Sequence, residues 1–131
     1  MSLAELYAPA KYWDLTPEVK RKLVNGCGTG GWLGKIVPET IYGLSVKAAC
    51  NIHDYMYHVG ETMADKEEAD NVFLNNMIRI IDANTRYWFM RRLRYNRARV
   101  YYEAVEHFGG PAFWSEKNEA GTMYLSLQAE V

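Results

Sequence analysis

Cysteine is scarce in this 131-residue chain: only Cys27 and Cys50 occur. Two cysteines exclude a disulfide-rich scaffold, and they lack the Cys/His spacing of a zinc site. Long apolar runs are missing as well. None approaches the roughly 18 residues that read as a membrane span. Met1 to Tyr12 has no basic region followed by an apolar stretch, so no signal peptide is visible. The location stays open: the chain is cytoplasmic, or phage-associated and released by lysis, or an export signal was removed, or it is secreted by a route without a signal peptide. Net charge is close to zero, at −1, which argues against a generic polyanion binder. Internal repeats, low-complexity tracts and interdomain linkers are absent. A single domain over residues 1–131, large enough for a real core, is therefore expected.

Aromatic residues are plentiful, with four Trp and ten Tyr. Helix signals dominate. Thr16-Pro17-Glu18 reads as an N-cap with proline at the first helical position, opening a short helix to about Val24. Asn25-Gly26 ends it, and the glycine-rich Gly26-Cys27-Gly28-Thr29-Gly30-Gly31 follows. Residues Trp32 to Leu44, broken by Gly34, Pro38 and Gly43, read as an irregular crossing segment. Ser45 can cap a helix running to about His58, and Gly60 stops it. A third helix starts near Thr62, with acids in its first turns where the dipole favours them. Asn84-Thr85 breaks the pattern before a fourth, which runs to about Phe108. Gly109-Gly110-Pro111 is a strong stop. Beyond it, Phe113 and Trp114 are candidates to dock on the body, and residues 115–131 read as a loose tail or a short strand pair. The expected class is all-α.

Chemistry concentrates on the second of these helices. Cys50, His53, Asp54 and Tyr57 fall at i, i+3, i+4 and i+7, so they share one face. The third helix has an inward stripe of Asp70, Phe73, Met77, Ile80 or Ile81, and Asn84. An aspartate heading an apolar stripe needs a partner, because burying an unpaired carboxylate is costly. His53 is the obvious one. Asp65, Glu67 and Glu68 lie on the same segment, and any of these acids, Asp70 included, can also be read as ordinary solvated ones.

At these residues the chain resembles the calcium-dependent phospholipase A2 superfamily. The family's calcium loop, X-Cys-Gly-X-Gly-Gly, is matched by Gly26 to Gly31. Its helix motif, Cys-X-X-His-Asp-X-X-Tyr, is matched by Cys50 to Tyr57. Its orienting aspartate is matched in Ala69-Asp70-Asn71-Val72-Phe73. The resemblance covers residues 25–77 or so. It implies two long antiparallel helices carrying the site, a glycine-rich calcium loop and additional helices. Ala49 and Met56 stand where a typical secreted member has cysteines, and the Trp32–Leu44 connection is longer than in compact members. The chain is therefore similar to the minimal form of bacterial, phage and viral relatives.

The resemblance implies a mechanism that the residue chemistry supports. Calcium takes six to eight hard oxygen ligands. The carbonyls of Gly26, Gly28 and Gly30 with both oxygens of Asp54 would supply five. His53 would take a proton from the attacking water. Asp70 would accept the other ring N–H and fix the tautomer. Tyr57 would hydrogen-bond Asp70, and the Gly28 N–H would help hold the oxyanion. The family also joins the cysteines matching Cys27 and Cys50. Closing that loop contributes about 3 kcal/mol by chain entropy, though a reducing cytosol would not keep the bond.

The implied activity is hydrolysis of the sn-2 ester of glycerophospholipids at a membrane surface, with phospholipid as partner. The alternative is a catalytically silent module of the same fold, structural or binding, in a phage particle or secretion system. Arg86, Arg91, Arg92, Arg94, Arg97 and Arg99 form the clearest charge cluster. Interleaved with Tyr87, Trp88 and Tyr95, they admit a nucleic-acid or anionic-lipid patch. A solvated face pairing with the acidic helix before it comes first, and nucleic acid last. Trp32 and Leu33 either touch lipid or pack in the core. His58 and His107 read as surface or helix-end residues.

Overall fold

The computed structural model describes residues 5–23 and 37–114. Its elements in chain order are α1 (Ala10–Trp13), α2 (Pro17–Leu23), β1 (Thr40–Ile41), β2 (Leu44–Ser45), α3 (Lys47–Val59), α4 (Met63–Asn84), α5 (Trp88–Phe108) and α6 (Gly110–Trp114). The protein is mostly helical, as expected. Among the described residues no helix is long and apolar enough to cross a membrane.

Helix boundaries follow local chemistry. At α2, the Thr16 hydroxyl accepts the Val19 N–H at 3.3 Å. The Ser45 hydroxyl accepts the Lys47 N–H at 3.3 Å, at the start of α3. Helix α4 opens on a capping box. The Thr62 side chain accepts the Asp65 N–H at 3.1 Å, and the Asp65 carboxylate accepts the Thr62 N–H at 3.0 Å. The link from Gly60 to Thr62 is so short that α3 and α4 lie side by side and antiparallel.

Helix α4 is the centre of the packing, with α3 on one flank and α5 on another. Its buried residues include Phe73, Met77, Ile80 and Ile81, so the expected stripe is inward. Asn84, expected at its end, is only half-buried. Ile52 and Tyr55 of α3 and Ala98, Tyr101 and Val105 of α5 close the core around it. Asn76, buried on α4, accepts the Tyr7 N–H and donates to the Tyr7 carbonyl, both at 2.8 Å. The N-terminal segment is thereby tied to the central helix.

Two local expectations need correction. The crossing segment contains a two-stranded antiparallel hairpin, with Thr40 opposite Ser45 and Ile41 opposite Leu44. Tyr42 and Gly43 form its turn at φ 45° and 78°, the double left-handed geometry of tight hairpins. Gly43 is thus a turn residue rather than a simple breaker. Tyr42 tolerates the costly conformation because α5 holds it. Arg94 donates to its carbonyl at 2.9 Å and Arg97 to its hydroxyl at 3.2 Å. Past Gly109 the chain starts another helical turn, α6, and this buries Phe113 against Tyr57.

Candidate functional site

The site is built from two helical pairs that face each other. His53 and Tyr57 stand one turn apart on α3, and Lys66 and Asp70 stand one turn apart on α4. Antiparallel packing brings all four together. His53 Nε2 lies 2.8 Å from Asp70 Oδ1, and the Tyr57 hydroxyl donates to the same oxygen at 2.6 Å. Lys66 Nζ donates to Asp70 Oδ2 at 2.8 Å. The exposures of His53, Asp70 and Lys66 are 0, 1 and 2%. Burying polar groups this deep is costly, and these contacts offset that cost.

Electrostatics fixes the protonation pattern. Burial opposes ionisation of Asp70, but hydrogen bonds from His53, Lys66 and Tyr57 and the electrostatic attraction of His53 outweigh it, holding the carboxyl below its ordinary range. An ionised Asp70 only accepts hydrogen bonds, so His53 Nε2 must carry the proton. Burial, then the Asp70 charge and hydrogen bond, push the Tyr57 hydroxyl far up, keeping it a donor. The remaining ring nitrogen, His53 Nδ1, is buried and has no hydrogen-bond partner among the described residues. Ring contacts hold the imidazole in place. Phe73 stacks on it at 4.6 Å between centroids, and Tyr57 leans on it at 4.1 Å.

The sequence expectations divide sharply by location. His53, Asp70 and Tyr57 come together, and the His53–Asp70 pairing inferred from two periodicities is present. Asp54 is half-buried at the edge of the same α3 face. Cys50 is buried and disulfide-bonded. Gly26, Gly28, Gly30, Cys27, Trp32 and Leu33 lie outside the described residues, as does the tail from Ser115. His58 and His107 are exposed, at the last turns of α3 and α5. Asp65 serves as the helix cap, while Glu67 and Glu68 are exposed.

Lys66 is the participant that sequence reading missed. It lies four residues before Asp70, the spacing of a helical ion pair, and that signal was available. Gly109 does more than stop a helix. A Cβ there would lie 2.5 Å from the Tyr57 hydroxyl oxygen and closer still to the Val105 carbonyl oxygen. Glycine at this point is what lets Tyr57 reach Asp70.

Could these residues hold calcium? Among the described residues no group of three or more His, Cys, Asp or Glu is arranged to bind a metal. A site made by one carboxylate and several backbone carbonyls would not produce such a group, because calcium accepts carbonyl oxygens freely. Asp54, half-buried beside His53 in the sequence, suits the single carboxylate of that donor set. A cleft of about 310 Å³ reaches the network, lined by Lys66, Asp70, Asn71 and Tyr102 among others. His53 is not part of its described lining.

The arginines of α5 are mostly engaged within the fold. Arg91 donates to the Thr85 carbonyl at 2.8 Å and lies 4.0 Å from Asp82 near the end of α4. Arg94 and Arg97 hold the hairpin, and Arg99 lies 3.8 Å from Glu103.

Residues 31–92 match the model of a family described as a protein of unknown function, DUF1353. That span includes His53, Tyr57, Lys66 and Asp70 and excludes Gly26, Gly28 and Gly30. No curated protein and no solved structure matches the chain.

Proposed function

We propose that this chain is a calcium-dependent esterase of the phospholipase A2 type, hydrolysing the sn-2 acyl ester of glycerophospholipids. One observation carries the reading: a buried imidazole gives Nε2–H to an ionised carboxylate, and its Nδ1 has no hydrogen-bond partner among the described residues. That is how a general base is prepared. A water on Nδ1 yields its proton there as its oxygen bonds to the acyl carbon. Asp70 stabilises the imidazolium that results. The same proton then passes to the departing glycerol oxygen as the ester C–O bond breaks, giving fatty acid and lysophospholipid. Asp54 and the Gly26, Gly28 and Gly30 carbonyls are the proposed calcium ligands. Calcium, when bound, polarises the ester carbonyl and bears part of the oxyanion charge. The ordered match of the glycine loop, the Cys50–Tyr57 motif and Asp70 to the phospholipase pattern supports this choice over other His–Asp hydrolases.

The complete burial of His53 favours a second reading, a catalytically silent module in which the network only specifies the core. Vesicles of a phospholipid with different sn-1 and sn-2 chains separate the two. The esterase releases the sn-2 acid with calcium, stops with chelator, and is silent but folded as His53→Gln. A silent module releases neither acid under any condition. Release that ignores chelator removes the metal from the proposal.

A further inference from the structure

We infer that Lys66 is a positioning residue for His53 that acts through Asp70; only the kinetic part of its test rests on the esterase reading. An ammonium has three N–H donors, and Lys66 spends them on Asp70 Oδ2 at 2.8 Å and on the Val105 and Glu106 carbonyls at 3.2 Å each. All three partners are fixed. The two carbonyls belong to the last turn of α5, where a cation is favoured; the Val105 carbonyl accepts the Gly109 N–H at 2.8 Å as well as Lys66. Lys66 therefore ties the end of α5 to the carboxylate that orients the base.

The division of labour on Asp70 gives that tie its consequence. Among the described residues, Oδ1 takes His53 and Tyr57, and Oδ2 takes Lys66. With Oδ2 held, the carboxylate cannot rotate to exchange its oxygens. Only one acceptor, in one direction, then faces His53 Nε2. Without Lys66, Oδ2 would be a buried anionic oxygen lacking a donor. The carboxylate would turn to satisfy it, and the His53 tautomer would lose its single preference. A salt bridge that merely stabilised the core would not have this effect.

The test combines nitrogen NMR of His53, with the ring neutral, and steady-state hydrolysis of phospholipid vesicles with calcium. Wild type is expected to show the Nε2–H tautomer alone. Lys66→Met is expected to show both tautomers and a kcat lowered about 10- to 100-fold, with KM changed less than about twofold. In an Asp70→Asn background the same substitution is expected to lower kcat no further, because its route through Asp70 is already gone. A folded Lys66→Met with a single Nε2–H tautomer and wild-type kcat overturns the inference. If Lys66→Met does not fold, the Lys66→Met/Asp70→Asn protein, which buries no unpaired charge, decides. A tenfold or larger loss below Asp70→Asn alone overturns the inference, and equal rates support it. A wild-type protein that hydrolyses nothing defeats the esterase reading, while the tautomer comparison still decides the role of Lys66.

Discussion

Gly109→Ala is the sharpest structural probe of the network, because it adds one methyl at a point where no space exists. The new Cβ would lie 2.5 Å from the Tyr57 hydroxyl oxygen, well inside van der Waals contact. Tyr57 cannot easily yield. Its ring meets Phe113 edge-on at 5.3 Å between centroids and leans on His53 at 4.1 Å. Relief therefore comes from moving the hydroxyl away from Asp70 or lifting the Gly109 backbone off the end of α5. Overpacking of this kind costs about 1–3 kcal/mol, and losing a hydrogen bond to a charged acceptor adds about 1.5–3 kcal/mol. Since one displacement causes both, the expected total is about 2–5 kcal/mol. The neighbouring glycine provides the control. A Cβ at Gly110 meets nothing within 4 Å, so Gly110→Ala should change stability by less than about 1 kcal/mol. Urea unfolding followed by circular dichroism measures both. Equal midpoints for the two variants would refute the packing of Tyr57 against Gly109 and its place in the network.

Other expectations follow from the same geometry. Asp70→Asn leaves the Lys66 ammonium buried without an anionic partner and should cost about 3–5 kcal/mol in urea unfolding, far more than an exposed aspartate. Tyr57→Phe removes one donor to Asp70 Oδ1 and should cost about 1.5–3 kcal/mol, while the tyrosine-free His53–Asp70 contact keeps the Nε2–H tautomer in nitrogen NMR. The pH dependence has a definite sign. The Asp70 carboxyl is held below its unfolded value, so its stabilisation is complete above the unfolded pKa of about 3.9 and is lost as pH falls through the folded one. The stability gap between wild type and Asp70→Asn should therefore narrow below about pH 4. A gap that stays constant from neutral pH to pH 2 or so would contradict an ionised Asp70.

The parts of this molecule that could be read in the sequence are those set by local rules. Thr62 and Asp65 satisfy each other's backbone N–H groups, so the start of α4 was visible to within a residue. The spacing of His53 and Tyr57, and of Asp70, Phe73 and Met77, placed each set on one face, and two facing stripes brought Asp70 to His53. Tertiary competition hid the rest. Lys66 sits among acids and looks solvated, and Asp70 together with the α5 carbonyls turns it inward. The Tyr42–Gly43 turn lacks the usual Asn-Gly signal, because Arg94 and Arg97 from a distant helix stabilise a left-handed tyrosine. Asn76 gave no sign of its role, since its partner is the backbone of Tyr7 and backbone carries no sequence signature. Gly109 marked a helix end correctly, yet its closeness to Tyr57 depends on how α3 and α5 pack.

Crystals grown with calcium, at a resolution that shows ordered water, test the central proposal most directly. The expected density is a cation on the Asp54 carboxylate and backbone carbonyls, with a water in hydrogen-bond reach of His53 Nδ1. A cation bound elsewhere, or Nδ1 closed in by apolar side chains with no water beside it, would contradict a hydrolytic role for His53.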